Sequence, residues 1–171
     1  MFTKFIAFTA AALLAITSAC PSALSLIEQA EGYRPCMYKD SMGIKTICYG
    51  FNLQKGDAQQ EVEAVGGNYQ DLLNGGCLSQ SQCTQLLQDD VNTAASEENS
   101  IFGSQCQCIT NVLTDMTYNL GEGGMRSFTT FNSYIEQHNW SAAASDIRGT
   151  LWCRQVGSRC TRDAGIIAAG C

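Results

Sequence analysis

EGYRPCMYKDSMGIKTICYGFNL, residues 31–53, is the stretch that decides how this chain is read. It carries two carboxylates, Glu31 and Asp40, with eight residues between them, and the hydroxyl of Thr46 after five more. Residues 37–40 and 44–49 alternate in the manner of two strands, and Ser41-Met42-Gly43 is a turn with Gly in last place. Such a hairpin puts Asp40 at its tip and Thr46 on the return strand. Upstream, residues 24–30 read as a short helix capped by Ser25, with Leu26, Ile27 and Ala30 on one side. Glu31-Gly32 ends it, Gly being the usual helix stop. Two carboxyls and a hydroxyl are thereby expected to converge where a helix end meets a hairpin.

That convergence suits glycoside hydrolysis. The reaction needs a protonated carboxyl for the leaving oxygen and an ionised carboxylate across the sugar. A helix end beneath a hairpin is the more sheltered place, a hairpin tip the more solvated one, and Thr46 can orient water. The segment also resembles the phage-type lysozymes of glycoside hydrolase family 24. Their pattern is E-G-x-R-x-x-x-Y-x-D-x-x-G-x-x-T-I-G-Y-G. Glu31, Gly32, Arg34, Tyr38, Asp40, Gly43, Thr46, Ile47, Tyr49 and Gly50 match it. Cys48 stands where the family favours Gly, and Phe51 where it favours His. The second departure removes a structural ion pair that something else must replace.

The resemblance implies an α+β, lysozyme-like fold: a small hairpin-sheet lobe joined by a long helix to a helical lobe, with the cleft between them. It implies a muramidase that cuts the β-1,4 bond after N-acetylmuramic acid in bacterial peptidoglycan, with no metal or cofactor. Glu31 is then the general acid, Asp40 the carboxylate that activates water or stabilises the oxocarbenium-like centre, and Thr46 the water positioner. Less specific matches extend to the C-terminus. Tyr118 and Asn119, before Gly121, correspond to a cleft-lining aromatic and amide; the alternatives are a core Tyr and a helix-end Asn. Asn52 follows the second strand where family members face the cleft. Trp152 and Arg159-x-x-Arg162 resemble a segment whose Arg approaches the catalytic Glu, and Arg159 is the better candidate. A catalytically inactive wall-binding or inhibitory protein and a chitin-directed hydrolase are the rival readings.

Residues 1–19 differ from the rest. Lys4 precedes an apolar run over residues 5–16 and the small residues Thr17-Ser18-Ala19, the form of a secretory signal. Cleavage before Cys20 leaves residues 20–171 as one catalytic domain, a length that suits one core. Cleavage after Ala23 would leave nine cysteines, and Thr17 disfavours a lipid anchor on Cys20. The expected setting is extracellular, or the lumen of a digestive or phagosomal compartment. Ten cysteines in an exported chain imply a disulfide scaffold. If the hairpin turns at residues 41–43, Cys36 and Cys48 fall opposite each other, within disulfide reach. Cys106 and Cys108 are too close in sequence to pair with each other. No C-x-x-C accompanies the lone His138, which argues against zinc. The net charge of −6 argues against nucleic acid as a partner and is unusual for an enzyme that attacks anionic walls. A monomer is expected.

The remainder reads as helices. A short acidic one follows Gly56-Asp57, with turns at Gly66-Gly67 and residues 74–76. A long one spans residues 78–100, capped by Ser79 or Ser81, with Cys83, Leu86, Leu87 and Val91 at helical spacing and Asp89, Asp90, Glu97 and Glu98 as its solvated face. Residues 106–120 form a largely buried helix ending at Gly121. Ser127 and Ser141 cap the next two, over residues 128–137 and 140–147. Residues 160–169 form the last.

Overall fold

The computed structural model describes residues 20–171; the export segment expected over residues 1–19 lies outside the described residues. Helix α1 (Ala23–Glu31) leads into a three-stranded antiparallel sheet, β1 (Arg34–Lys39), β2 (Lys45–Cys48) and β3 (Phe51–Asn52), in that spatial order. Short helices α2 (Ala58–Ala64) and α3 (Tyr69–Leu73) complete the small lobe. The long α4 (Gln80–Phe102) crosses to the helical lobe, built from α5 (Gln107–Ser127), α6 (Thr129–Glu136), α7 (Trp140–Arg148), α8 (Leu151–Val156) and α9 (Ser158–Ala169).

Each lobe has its own core. Ile47, Phe51, Leu53, Val62 and Leu72 pack in the small lobe, and Val112, Leu113, Met116, Phe131, Ile135 and Ile147 in the helical lobe. Two helices serve both. α1 sends Ile27 into the first core and its neighbour Leu26 into the second. α4 gives Cys83, Leu86, Leu87 and Val91 to the small lobe and Phe102, near its far end, to the other. Its 23 residues, at 1.5 Å rise each, span roughly 34 Å, enough to bridge two lobes.

Most helix ends fall where the sequence places them, but several caps do not. α1 is capped by Ser22, whose Oγ accepts from the Ser25 N–H, not by Ser25. α4 starts at Ser79 in a reciprocal box with Gln82: Ser79 Oγ accepts the Gln82 N–H, and Gln82 Oε1 accepts the Ser79 N–H. Such caps are worth about 1 kcal/mol. α5 is interrupted at Gly121 (φ 69°), a conformation that costs Gly least. Ser127 does not cap α6; its Oγ bonds back to the Gly124 carbonyl and belongs to the end of α5. Asn139, not Ser141, caps α7. α3 and α8, started by Asn68 and Thr150, are too short to show a periodic pattern.

The five disulfides are Cys20–Cys108, Cys36–Cys77, Cys48–Cys83, Cys106–Cys171 and Cys153–Cys160, and no cysteine is free among the described residues. Cys36 and Cys48 therefore do not pair with each other. Near the tip, Tyr38 lies opposite Thr46, a register that would carry Cys36 to Cys48. A bulge then shifts the strands so that Arg34 faces Cys48. Cys36 instead bridges to Cys77 along the outer edge of β1, where the Met37 N–H bonds to the Gly76 carbonyl and the Leu78 N–H to Pro35. Cys48 turns the other way and pins the sheet to the first turn of α4. It does so at φ 60°, the left-handed region that explains why Gly is favoured there. Phe51 is buried, with the Lys55 ammonium 4.5 Å from its ring centre and 2.8 Å from Glu61. The Lys55–Glu61 pair, with its cation over the Phe51 ring, is the ion pair found at this corner.

Glu98 corrects the reading of the α4 face. It is 1% exposed, and its Oε1 has no hydrogen-bond partner. Burial pushes its carboxyl from the ordinary 4.5 up to about 7. Because the folded value is the higher one, the native state holds the proton more tightly, and stability falls as pH rises from about 4.5 to about 7. Glu98→Gln should raise the melting temperature at pH above about 8, by up to about 3 kcal/mol of stability, and change little near pH 4. Thermal melts at both pH values check this.

Candidate active site

Glu31 is the last residue of α1, and Gly32, at φ 74°, turns the chain away into β1. The expectation of a carboxyl sheltered under an apolar hairpin is not met. The Glu31 side chain is 27% exposed, and its Oε1 accepts from Arg159 Nη1 at 2.8 Å. Arg159, in the first turn of α9, is 7% exposed. Its Nε and Nη2 grip the carboxylate of Asp115 on α5 at 3.0 and 2.9 Å, and Nη2 also reaches the Asp115 carbonyl at 3.0 Å. Burial alone would pull the Arg159 guanidinium down, but Asp115 and then Glu31 raise it, so it stays charged. Arg162, one turn on, bonds to Asp115 Oδ2 (2.8 Å), Asp163 Oδ1 (2.9 Å) and the Leu26 carbonyl (2.8 Å). The catalytic carboxyl expected at the helix end is thus held by a charged network that ties α1, α5 and α9 together.

Asp40 follows β1, and its Oδ1 accepts the N–H groups of Met42 (2.8 Å) and Ile44 (2.9 Å). This turn-building role fixes the carboxylate and leaves Oδ2 for chemistry. Thr46, at the centre of the sheet, is cross-strand partner to Tyr38 on one side and Asn52 on the other. Cross-strand partners share a face, and so do residues two apart along a strand. Tyr38, Thr46 and Asn52 therefore lie on one face, with Thr46 buried at 4% exposure, and Asp40 sits just past the end of β1, its N–H bonded to the Ile44 carbonyl. Thr46 Oγ1 donates to the Ile44 carbonyl at 3.0 Å, which leaves its lone pairs to accept. Asn52 Oδ1 accepts the Gln54 N–H at 2.7 Å and shapes the turn after β3.

Tyr118 and Asn119 fall near the break in α5. Burial first, then the nearby charges of Glu31 and Asp90, push the Tyr118 phenol up, so it stays protonated beside the acid. Asn119 is exposed; its Oδ1 accepts from Trp152 Nε1 at 2.7 Å, which orients the amide and leaves its N–H₂ open to a ligand. Asp115 and Asp163 were not anticipated. Their one sequence signal is an acid within the apolar run of its helix, between Val112 and Met116 for Asp115 and before Ala164 for Asp163.

Removing Arg159 should be costly. Arg159→Leu leaves Asp115, which is 0% exposed, with a buried charge held only by Arg162, a loss of roughly 3–5 kcal/mol. Arg159→Lys should recover little, since an ammonium cannot grip Asp115 with two parallel bonds while reaching Glu31. Urea unfolding of both variants checks this.

A small sheet lobe and a helical lobe, bridged by one long helix and meeting at a carboxyl on a helix end, make this a lysozyme-type hydrolase. The chain belongs to the phage lysozyme family, whose family model matches residues 28–166. It is 22% identical over 157 residues to probable T4-type lysozyme 1 of Dictyostelium discoideum, covering 85% of this chain and 92% of that one. Probable T4-type lysozyme 2 of the same organism is 23% identical over the same shares. A SAR-endolysin of Bacteriophage PS119 is 27% identical over 119 residues, 69% of this chain and 61% of that one.

Proposed function

We propose that this lysozyme is a bacteriolytic muramidase, cleaving the β-1,4 bond between N-acetylmuramic acid and N-acetylglucosamine of peptidoglycan, in digestion or defence. The observation that carries the reading is the Glu31 carboxyl, fixed by Arg159 at the end of the helix that leads directly into the hairpin bearing Asp40 and Thr46. Glu31 protonates the leaving oxygen. Asp40 Oδ2 takes the proton of a water that attacks the anomeric carbon, and Thr46 Oγ1 accepts the second hydrogen bond of that water. The Asn52 and Asn119 amides and the Tyr118 hydroxyl serve as sugar contacts. Arg159 keeps the acid oriented and needs no contact with substrate. An exported setting agrees with the five disulfides, and no described helix is long and apolar enough to cross a membrane.

A water-activating Asp with a Thr beside it implies inversion, so the first-formed reducing end should be the α anomer. Proton NMR during digestion of soluble wall fragments, with chitin oligosaccharides in parallel, tests both the stereochemistry and the substrate. A β-anomeric first product would reassign Asp40 as a nucleophile. Cleavage of chitin alone would replace peptidoglycan as the substrate.

A further inference from the structure

The cluster behind Glu31 holds three carboxyls, Glu31, Asp115 and Asp163, against two guanidiniums, Arg159 and Arg162. Asp115 and Asp163 are both 0% exposed, where an unbalanced charge has no water to screen it. The hydrogen bonds are divided unequally. The Asp115 carboxylate accepts from Arg159 Nη2 (2.9 Å), Arg159 Nε (3.0 Å) and Arg162 Nη2 (2.8 Å). Glu31 accepts from Arg159 Nη1 (2.8 Å). Asp163 has Arg162 on Oδ1, at 2.9 Å, and nothing on its buried Oδ2. The Asp115 carboxylate faces it. A buried carboxyl with one bare oxygen, sharing Arg162 Nη2 with a second buried carboxylate, is where a proton belongs: it gives Oδ2 a bond and spares the site a second buried negative charge beside Asp115.

We propose that Asp163 is a positioning residue that works protonated: by sharing its proton with Asp115 it leaves both guanidiniums to Asp115 and Glu31, and so keeps Arg159 on the catalytic carboxyl. When that proton is lost, Asp163 draws Arg162 off Asp115. Asp115 then holds Arg159 more tightly, and Glu31 loses its anchor. Burial pushes Asp163 up to about 8, the facing Asp115 charge adds to this, and Arg162 opposes it. Among the described residues, the other charges on helices packed against α9 are engaged elsewhere or only half-buried: on α5 Glu122 and Arg126 pair with each other, on α7 Asp146 is half-buried and Arg148 is turned onto the Ala144 carbonyl, and on α8 Arg154 is turned onto the Gly149 carbonyl. The competing account is an ordinary ionised Asp163–Arg162 pair.

The proposal rests on Glu31 as the catalytic acid, and the test separates the two. Carboxyl carbon-13 NMR of the wild type should show Asp163 titrating near 8; a midpoint below about 5 would overturn the proposal. Asp163→Asn imitates the protonated form, so its lysis rate should lie within about twofold of wild type near pH 5.5. The variant-to-wild-type ratio should then climb at least about fivefold by pH 9, because only the wild type loses the anchor there. A flat ratio would overturn the link to Glu31, and so would a large loss at pH 5.5 in a folded variant. If Asp163→Asn does not fold, the wild-type Arg159 Nε–H resonance decides: it should follow the Asp163 midpoint, and a fixed resonance would reject the coupling. Absence of lysis by the wild type at every pH would sink the muramidase reading, while the two NMR measurements still locate the proton.

Discussion

Glu31→Gln is expected to fold and melt close to wild type and to lose most of its lytic activity. The reason for the first half is geometric. Gln keeps an oxygen at the position where Glu31 Oε1 accepts from Arg159, and the side chain is already partly solvated, so no buried charge is stranded beyond what Asp115 and Arg162 hold. The reason for the second half is chemical. An amide cannot give a proton to the leaving sugar oxygen, and general acid catalysis supplies roughly a hundred- to ten-thousand-fold. Clearance of a bacterial wall suspension, measured beside circular dichroism of the same preparation, reads both. Near-wild-type lysis by the folded variant would remove Glu31 from the mechanism and favour an acid elsewhere in the cleft.

Reduction of the disulfides is expected to unfold the protein outright. Each bridge contributes about 2–4 kcal/mol, and a domain of this size has only some 5–15 kcal/mol in total. The contributions should be unequal. Cys20–Cys108 closes a separation of 88 residues and Cys153–Cys160 one of 7. In the chain-entropy account these are worth about 4.6 and about 2.4 kcal/mol. Replacing the first pair by Ser should therefore lower the denaturation midpoint about twice as much as replacing the second. Thiol titration of the denatured, unreduced protein should find almost none of its ten sulfhydryls free. Several free thiols, or a reduced protein that keeps its melting transition, would contradict the scaffold.

Much of the small lobe is written in local sequence, because its decisions are local. Gly32 can take the positive φ that ends α1 and so leaves Glu31 at a helix terminus. Asp40-Ser41-Met42-Gly43 closes the hairpin through bonds between an aspartate and backbone two and four residues on. Leu86, Leu87 and Val91 recur at helical spacing and bury one side of α4. In each case the interacting groups are a few residues apart, so a short window contains the energy that decides the conformation.

The tertiary structure decided whatever depends on distant partners. A bulge in β1, which no residue pattern announces, moved Cys36 and Cys48 out of register and gave them Cys77 and Cys83 instead. Glu98 shares a helix with exposed acids, and only the packing of α4 in the assembled lobe put it out of reach of water. Asp115 and Asp163, 48 positions apart in sequence, became neighbours when α9 docked on α5, and Arg159 came to Glu31 across 128. The sequence by itself determined the helix end and hairpin that carry Glu31, Asp40 and Thr46 and, through its family resemblance, the two lobes; its ten cysteines announced the bridges but not their pairing. How the acid is held was settled by the meeting of α1, α5 and α9, because a buried charge is tolerated only where its counter-charge arrives, and that is a property of the packed molecule.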